Sequence, residues 1–519
     1  MQAFCAKHAT KIAGVLSCFD RMLFRGYLPI MHGAAMAQFL RSEEVNCRNL
    51  RQFLLETSEC VKGHAQRMAD DAGRPYIYLP GGGVRMEEHA RQLAERDGIR
   101  TGLICVFAKL EPCNTFSFRY RTEDACVKLA KRKCLHFYYY FMEPELGLVH
   151  VQVQSWFPLR MQVFLNGHDW LARKLDAAGI GYRQCDNVFV WIEDVKRAQR
   201  FCDRMSSLDW PSILNGLAQR VNPLMGTLLG RMQYYWVTAQ CEYATDVMFK
   251  KPSDLKELYP RLISHSTLCF GARDVLSFLG KKLDGTFRGE QVNDLADGRK
   301  RRLPGLRIKH RVKMNWIKMY DKAGSVLRVE MVINDPTAFK VRKQVLRERR
   351  QVTEWVPMRK GVANLFRYRD VSLSANGRYL DALAQVDDPT PAIRELDRVT
   401  QRKRTPTGQS VRAFNPLARE DCQLFEVLAS GEHQIRGFTN RDVREKLTSP
   451  SLLGNKAKTA AQRSARVSRL LHRLHVYGLV AKVPRSRRWR LTRKGLRVAT
   501  SAVRLREQTF PTLYASAYA

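Results

Sequence analysis

His150, Gln152 and Gln154 form the first arrangement in this chain that could do chemistry. They lie in Leu148–Leu165 (LVHVQVQSWFPLRMQVFL), which alternates apolar and polar residues on either side of Phe157-Pro158 and predicts two adjacent strands or a β-hairpin. Side chains repeat with period two along a strand, so the three residues share a face. A His-x-Gln pair there could hold a divalent metal, and a polar sheet face is the plain structural alternative. The loop Leu79-Pro80-Gly81-Gly82-Gly83 could cradle a phosphate, but it carries neither G-x-x-x-x-G-K-[ST] nor G-x-G-x-x-G, so an ordinary turn is expected. Thirteen cysteines with no C-x-x-C pair predict buried thiols in a reducing compartment rather than disulfides or a structural zinc site.

Charge points to a second kind of chemistry, the binding of a polyanion. The formal net charge is +38, from 88 Lys and Arg against 50 Asp and Glu. Solubility needs far less, so nucleic acid is the first partner to consider and an anionic membrane surface the second. No apolar run is long enough to span a bilayer, and MQAFCAKHATKIAG lacks a signal-peptide core. A cytoplasmic, nucleoid-associated protein is expected, with DNA as partner, RNA as an alternative and no membrane. Lys446–Arg506 holds seventeen Lys and Arg and no Asp or Glu. A second basic run, Arg299-Lys300-Arg301-Arg302 followed by Arg307, Lys309, His310, Arg311 and Lys313, leads into strand signals Trp316–Tyr320 and Val326–Ile333. Basic residues interleaved with aromatics suit backbone contact plus stacking on single strands.

The 519 residues allow about three domains. Ile12–Leu28 is apolar with an embedded Asp20; a charged helix is predicted at Arg85–Arg96, strands at Gly102–Ala108 and Phe116–Tyr120, and a basic helix at Val127–Lys133. His136–Met142 is strongly strand-forming. From about Pro211 the character changes, with helices flanking an aromatic strand, Tyr234–Tyr243, that carries Glu242 and is followed by Asp246. Asp387–Leu417, with four prolines, reads as a linker. No internal repeat is evident.

In the terminal region, helices are predicted at Asp421–Ala429, Arg441–Leu447 and from Ala461 to His475. In the last, Val467, Leu470, Leu471 and Leu474 form an apolar stripe, with Arg463, Arg466, Arg469 and Arg473 on the adjoining face. Leu479–Leu491 (LVAKVPRSRRWRL) predicts two strands joined by a basic turn with Arg485, Arg487 and Arg488, and Arg490 follows on the second strand. Trp489-Arg490-Leu491-Thr492 ending in Gly495 resembles the wing-strand-to-helix signature of MarR-like regulators. That resemblance implies a winged helix whose third helix enters a major groove while the wing reaches phosphate or a minor groove.

Tyr320-Asp321-Lys322 with Arg328-Val329-Glu330 resembles the Y-[DE]-K … R-[VFI]-E strand pair of replication initiators from rolling-circle plasmids and filamentous phages. The resemblance covers about twenty residues and implies a sheet that binds a metal and nicks one DNA strand. It would make Glu330 a carboxylate ligand, with Lys322 and Arg328 contacting DNA or supporting the sheet. Glu242 and Asp246 are the acids placed to join Glu330, and His150 and Gln152 would complete the metal set. A cation, Mg²⁺ or Mn²⁺, would polarise the scissile phosphate while a tyrosine such as Tyr320 attacks it. Where those initiators carry a later tyrosine, this chain has Phe339.

The sequence therefore predicts an α/β (α+β) multidomain protein: an N-terminal domain over 1–210, a central domain over 211–386, both with mixed sheets, a linker over 387–420, and a winged helix-turn-helix over 421–510. The expected function is DNA binding associated with replication or a mobile element, with metal-dependent nicking as its enzymatic form. A non-enzymatic MarR-like regulator and an RNA-binding protein are the alternatives. DNA contacts are expected from Arg463, Arg466, Arg469, Arg473, Arg485, Arg487, Arg488, Arg490, Lys309, Arg311, Lys322 and Arg328.

Overall fold

The computed structural model describes residues 1–81, 83–121, 124–281, 291–297, 306–347, 350–386, 389–405, 407–430, 433, 437–447 and 459–518. The basic run Arg299–Arg302, the loop Thr448–Lys458 and Gly82 lie outside them.

The chain is mixed α/β, built on one large mixed sheet. Its strands are β1 (Ile12–Tyr27), β2 (Tyr76–Leu79), β3 (Gly102–Arg121), β4 (Asp124–Glu143), β5 (Gly147–Gln154), β6 (Met161–Asn166), β9 (Tyr235–Phe249), β10 (Gln291–Asp297), β11 (Leu306–Val312), β12 (Asn315–Lys322) and β13 (Val326–Ile333). A separate small hairpin is formed by β7 (Tyr182–Gln184) and β8 (Phe189–Ile192). Among the described residues the sheet order is β10-β11-β12-β13-β9-β1-β6-β5-β4-β3-β2, with β2 and β3 parallel and the other pairs antiparallel. Central strands are covered on both faces and so read as continuous apolar runs. All eight residues of β13 are buried, as are Leu16 to Asp20 of β1.

The expected boundary between residues 210 and 211 falls inside this sheet. β9, from one side of it, is the neighbour of β1, from the other, and one hydrophobic core runs from Phe4 to Val386. The two stretches also repeat each other's topology. β1 leads through helices Gly33–Ser42 and Leu50–Asp71, strand β2 and helix Met86–Arg96 to the meander β3-β4-β5-β6, whose last strand returns beside β1. β9 leads through helices Pro252–Cys269 and Ala272–Phe278 to the meander β10-β11-β12-β13, whose last strand returns beside β9. Each meander is followed by a hairpin and a packing helix. In the first these are β7–β8 and Val195–Met205; in the second they are β14 (Lys340–Arg347) with β15 (Arg350–Pro357), and Leu365–Leu383.

β1 and β9 pair antiparallel at the middle of the sheet, and the strand order repeats outward from each of them. Cys18 faces Ala244, and Asp20 and Asp246 each lie two residues further along their own strands. The repeat is one of strand order and not of residues.

Two local expectations are corrected. Val127–Lys133 is not a helix: it lies within β4, paired with β3 along a two-stranded ribbon, and pairing overrides local propensity. The signals at Gly102–Ala108 and Phe116–Tyr120 belong to one strand, β3.

Residues 387–420 are also more than a tether. They include helix Pro389–Thr400 and the strand pair β16 (Lys403–Arg404) and β17 (Ser410–Val411), and Val399 and Phe414 are buried in a second core with Leu424, Leu471 and Leu474.

That second core is completed by helices Arg419–Ala429, Asn440–Lys446, Ala460–Val476 and Arg493–Arg504 and by the hairpin of β18 (Val480–Lys482) and β19 (Trp489–Leu491). A bridge between Phe438 and Trp489 adds a third, one-residue strand to the hairpin. Thr439 with Asp442, and Thr459 with Gln462, form capping boxes that satisfy free N–H groups. At Gly495 a Cβ would lie 1.8 Å from the Leu479 carbonyl oxygen. Gly495→Ala is therefore expected to destabilise this unit by about 3 kcal/mol through overpacking. Thermal melting followed on Trp489 checks this, and a wild-type melt would show that the helix and the hairpin are not held this close.

Candidate functional site

Asp20 is buried on β1, where its pairing with β9 shifts register between Phe19 and Met22. Its Oδ1 accepts from Asn166 Nδ2 at 3.0 Å and from Asn187 Nδ2 at 2.7 Å, and its Oδ2 from Arg328 Nη1 at 3.1 Å. Asp246 accepts from Arg328 Nε and Nη2, both at 2.7 Å, in a bidentate pairing. Arg328 Nη2 also donates to the Asn187 carbonyl at 2.7 Å. Burial disfavours both carboxylates, yet Arg328 and His168 hold Asp20 and Asp246 below the usual carboxylate range.

Gly167 is what brings His168 in. A Cβ at Gly167 would sit 2.1 Å from the Phe19 carbonyl oxygen, so helix Gly167–Ala177 starts hard against β1. Asn166 caps that helix by accepting from His168 N at 2.8 Å. His168 Nδ1 then lies 3.5 Å from Asp20 Oδ1, and Nε2 lies 3.3 Å from Asp246 Oδ2. Burial and Arg328 oppose a charge on the imidazole, and the two carboxylates outweigh them, lifting its pKa to about 10. Arg328 Nη2 is 3.1 Å from Nε2. While Nε2 carries a proton toward Asp246, that approach is a contact between two donors.

Two residues along β13, Glu330 is fully buried opposite Lys318 of β12. Lys318 Nζ donates to Glu330 Oε2 at 2.9 Å and lies 3.6 Å from Glu242 Oε2. Tyr320 donates to the same Glu330 oxygen at 3.2 Å. Burial raises the Glu330 pKa, Lys318 lowers it, and Glu242 and Asp20 raise it again, so it is pushed up to about 8. Burial, and then Glu330, raise the Tyr320 phenol well above its ordinary value. Its hydroxyl is a buried donor, not an activated nucleophile facing a phosphodiester.

This sets a pH dependence. At neutral pH, folded Glu330 holds a proton that the unfolded chain releases near 4.5. The folded state binds more protons in that interval, so stability falls as pH rises from about 4.5 to about 8. His168 adds a loss of the same sign between 6.5 and about 10. Glu330→Gln is expected to flatten the first fall, which is worth about 1.4 kcal/mol per pKa unit. Denaturant unfolding at a series of pH values measures it, and an unchanged slope would mean that Glu330 is ionised in the fold.

Carboxylate oxygens of Asp20, Glu242 and Glu330 lie within 4.8 Å of one another, and Glu330 Oε1 is buried without a hydrogen-bond partner. The set nevertheless fits Mg²⁺ or Mn²⁺ poorly. The Lys318 ammonium already supplies the cationic partner, the three acids are at most 7% exposed, and hard dications of this size keep several waters. Millimolar Mn²⁺ is expected to leave the melting temperature unchanged. A rise of several degrees that Glu330→Gln abolishes would show that a cation displaces Lys318.

The fold thus gathers Glu330, Glu242, Asp246, Tyr320 and Arg328, and it separates His150 and Gln152 from them. β9, β1 and β6 lie between β13 and β5, about 19 Å at 4.8 Å per strand. His150 is stacked on Phe164 at 4.9 Å, and burial lowers its pKa to about 4. Gln152 donates to Tyr138 at 2.8 Å and accepts from Gln162. A period-two face is real here, but it is filled by neighbouring side chains.

Of the expected DNA contacts, three are internal. Arg328 is 0% exposed, Lys322 pairs with Asp186 at 2.7 Å, and Arg473 pairs with Asp421 at 3.1 Å and stacks on Phe414 at 3.7 Å. Arg473 also donates to the Arg412 and Ala413 carbonyls, holding 411–414 against the second core. Lys309 lies over the Trp316 ring at 4.4 Å, while Arg311 is exposed. Arg466 and Arg490 are half-buried. Arg463 and Arg469 on helix Ala460–Val476, and Arg485, Arg487 and Arg488 at the hairpin tip, are exposed. Arg488 Nη1 also donates to the Gly437 carbonyl at 3.2 Å.

Sequence reasoning passed over Asp20, His168 and Lys318 as network members. Asp20 did carry a signal, because a single acid in a continuous apolar strand must be paired when buried. His168 carried none, since its place depends on the close approach at Gly167. Comparison with protein-family models, with curated proteins and with solved structures finds no match to this chain.

Proposed function

We propose that the chain is a duplex-DNA-binding protein in which residues 421–510 act as a winged helix carried on the large-sheet body. The observation that carries this reading is the basic surface formed by Arg463, Arg469, Arg485, Arg487 and Arg488, with no acid anywhere in Lys446–Arg506. Its support is the order of helix, bridging residue Phe438, two helices and a hairpin whose strand β19 pairs with that bridge. Such an arrangement offers one helix to a major groove and the hairpin to the flanking backbone.

The buried network of Asp20, Asp246, Arg328 and His168 reads as the scaffold joining β1, β9 and β13 rather than as a catalytic centre. Among the described residues no helix is long and apolar enough to cross a membrane.

Duplex affinity of the full chain, measured by fluorescence anisotropy over a range of salt, tests the proposal. Phosphate contacts from Arg463, Arg485, Arg487 and Arg488 would give a slope of log K against log salt of about −3.6. Affinity that barely responds to salt would overturn the reading. Incubation with supercoiled plasmid and Mn²⁺ is expected to leave the plasmid intact. An adduct surviving boiling in detergent would favour the strand-nicking reading instead.

A further inference from the structure

We propose that Cys113, Cys134 and His136 form a binding site for a thiophilic dication, Zn²⁺ in the first instance, at the root of the β3–β4 ribbon. In the β3–β4 register Glu111 faces Cys134, Cys113 faces Arg132 and Lys109 faces His136. Period-two alternation then puts Glu111 and Cys113 of β3 on one face with Cys134 and His136 of β4. The two sulfurs are 3.1 Å apart, and one ligand atom from each of the three residues lies within 4.8 Å of the others. That spacing is longer than a disulfide bond of about 2.05 Å. It is shorter than the roughly 3.8 Å separating two thiolates bound at about 2.3 Å to a tetrahedral zinc, a difference that small side-chain rotations cover.

The chemistry of the donors matches a borderline-soft cation and not a hard one. Both sulfurs are thiols, which become metal ligands by losing their protons. Binding replaces two S–H bonds with two S–Zn bonds and releases two protons to solvent. His136 is buried beside the two sulfurs. Its Nδ1 lies 3.2 Å from the Cys134 carbonyl oxygen, which can only accept, so Nδ1 carries the hydrogen and Nε2 keeps the lone pair a metal needs. Two thiolates and a neutral imidazole around a dication sum to zero charge, which suits a half-buried position. Three protein ligands leave the fourth position to water.

Placement gives the site a role. His136, opposite Gln154, is where the pairing of β4 with β5 begins, at the ribbon end of the sheet. Beyond it β3 and β4 continue as a two-stranded ribbon with exposed Lys128, Lys131, Arg132 and Lys133. A cation held by Cys113 of one strand and by Cys134 and His136 of the other would fix the ribbon's direction where it leaves the sheet. The inference stands on this geometry and does not depend on DNA binding.

Cobalt titration of the full, reduced, metal-free chain tests it. Wild type is expected to develop a sulfur-to-cobalt charge-transfer band that saturates at one equivalent and is displaced by Zn²⁺. Cys113→Ser/Cys134→Ser should lose the band, His136→Gln should bind at least tenfold more weakly, and Cys60→Ser, which changes an exposed cysteine elsewhere, should bind as wild type. Zn²⁺ should also slow proteolysis within 111–134 in wild type and not in the double variant. Circular dichroism verifies that each variant is folded. A cobalt band that persists in the double variant would overturn the proposal. So would the absence of any saturable band in a reduced wild type that readily oxidises to a Cys113–Cys134 disulfide.

Discussion

Arg328→Met is expected to cost about 3–5 kcal/mol, the penalty for stripping the partner from a buried ion pair. The residue is 0% exposed and holds Asp246 with two hydrogen bonds and Asp20 with one. A methionine fills much of the same space but leaves two carboxylates in the core, with His168 as their remaining close cation. Both aspartates would have to take up protons or open the structure to water. Denaturant unfolding of the purified chain measures the loss. Arg328→Met/Asp246→Asn should recover part of it, because the second change removes one of the stranded charges. Arg328→Lys keeps the charge and gives up the fork, so it should fall between wild type and the methionine variant. A methionine variant within 1 kcal/mol of wild type would mean that this network does not hold β1, β9 and β13 together. Because Arg328 bonds Asp20 of β1 as well as Asp246 of β9, the effect should be felt in both stretches of the sheet.

Removing the exposed hairpin-tip arginines should have the other large effect. Arg485→Gln/Arg487→Gln deletes two charges that stand in solvent, so the fold should be untouched while duplex affinity falls. Each phosphate contact contributes about 0.9 to the salt slope, so the slope should shrink by about 2 and affinity near 0.1 M salt should drop by roughly tenfold to a hundredfold. The drop should be similar for every duplex sequence, since phosphate contacts carry no sequence information. Arg469→Gln, on the helix proposed to enter the groove, should instead change the ranking of one duplex against another. Arg473→Gln serves as the contrast: its guanidinium is tied to Asp421 and to two backbone carbonyls, so it should lower the melting temperature of the C-terminal unit. Equal affinity of wild type and the hairpin variant for duplex at every salt concentration would remove the basis for the proposed interface.

Sequence by itself determined the parts of this protein that depend on local chemistry. The acid-free basic stretch, the apolar stripe of Val467, Leu471 and Leu474 and the hairpin around Pro484 could all be read there, because neighbouring residues fix them through helical or strand periodicity. Sequence also marked Glu330, Glu242, Asp246 and Tyr320 as a group. It could not say which charges go inside.

Arg328, Lys322 and Arg473 look like surface cations in one dimension and are internal in three, since each meets an acid distant in the chain: Asp246, Asp186 and Asp421. His150 and Glu330 sit on strands with similar signatures, yet sheet order puts three strands between them. The repeated topology escaped the sequence because it is carried by pairing and connection, with Asp20 and Asp246 as its clearest residue trace. Cys113, Cys134 and His136 came together only through the β3–β4 register, a long-range choice that no local spacing encodes. Strand pairing is settled by burial and hydrogen bonding over the whole sheet, and for that reason the tertiary structure alone decided which of the chain's reactive residues are neighbours.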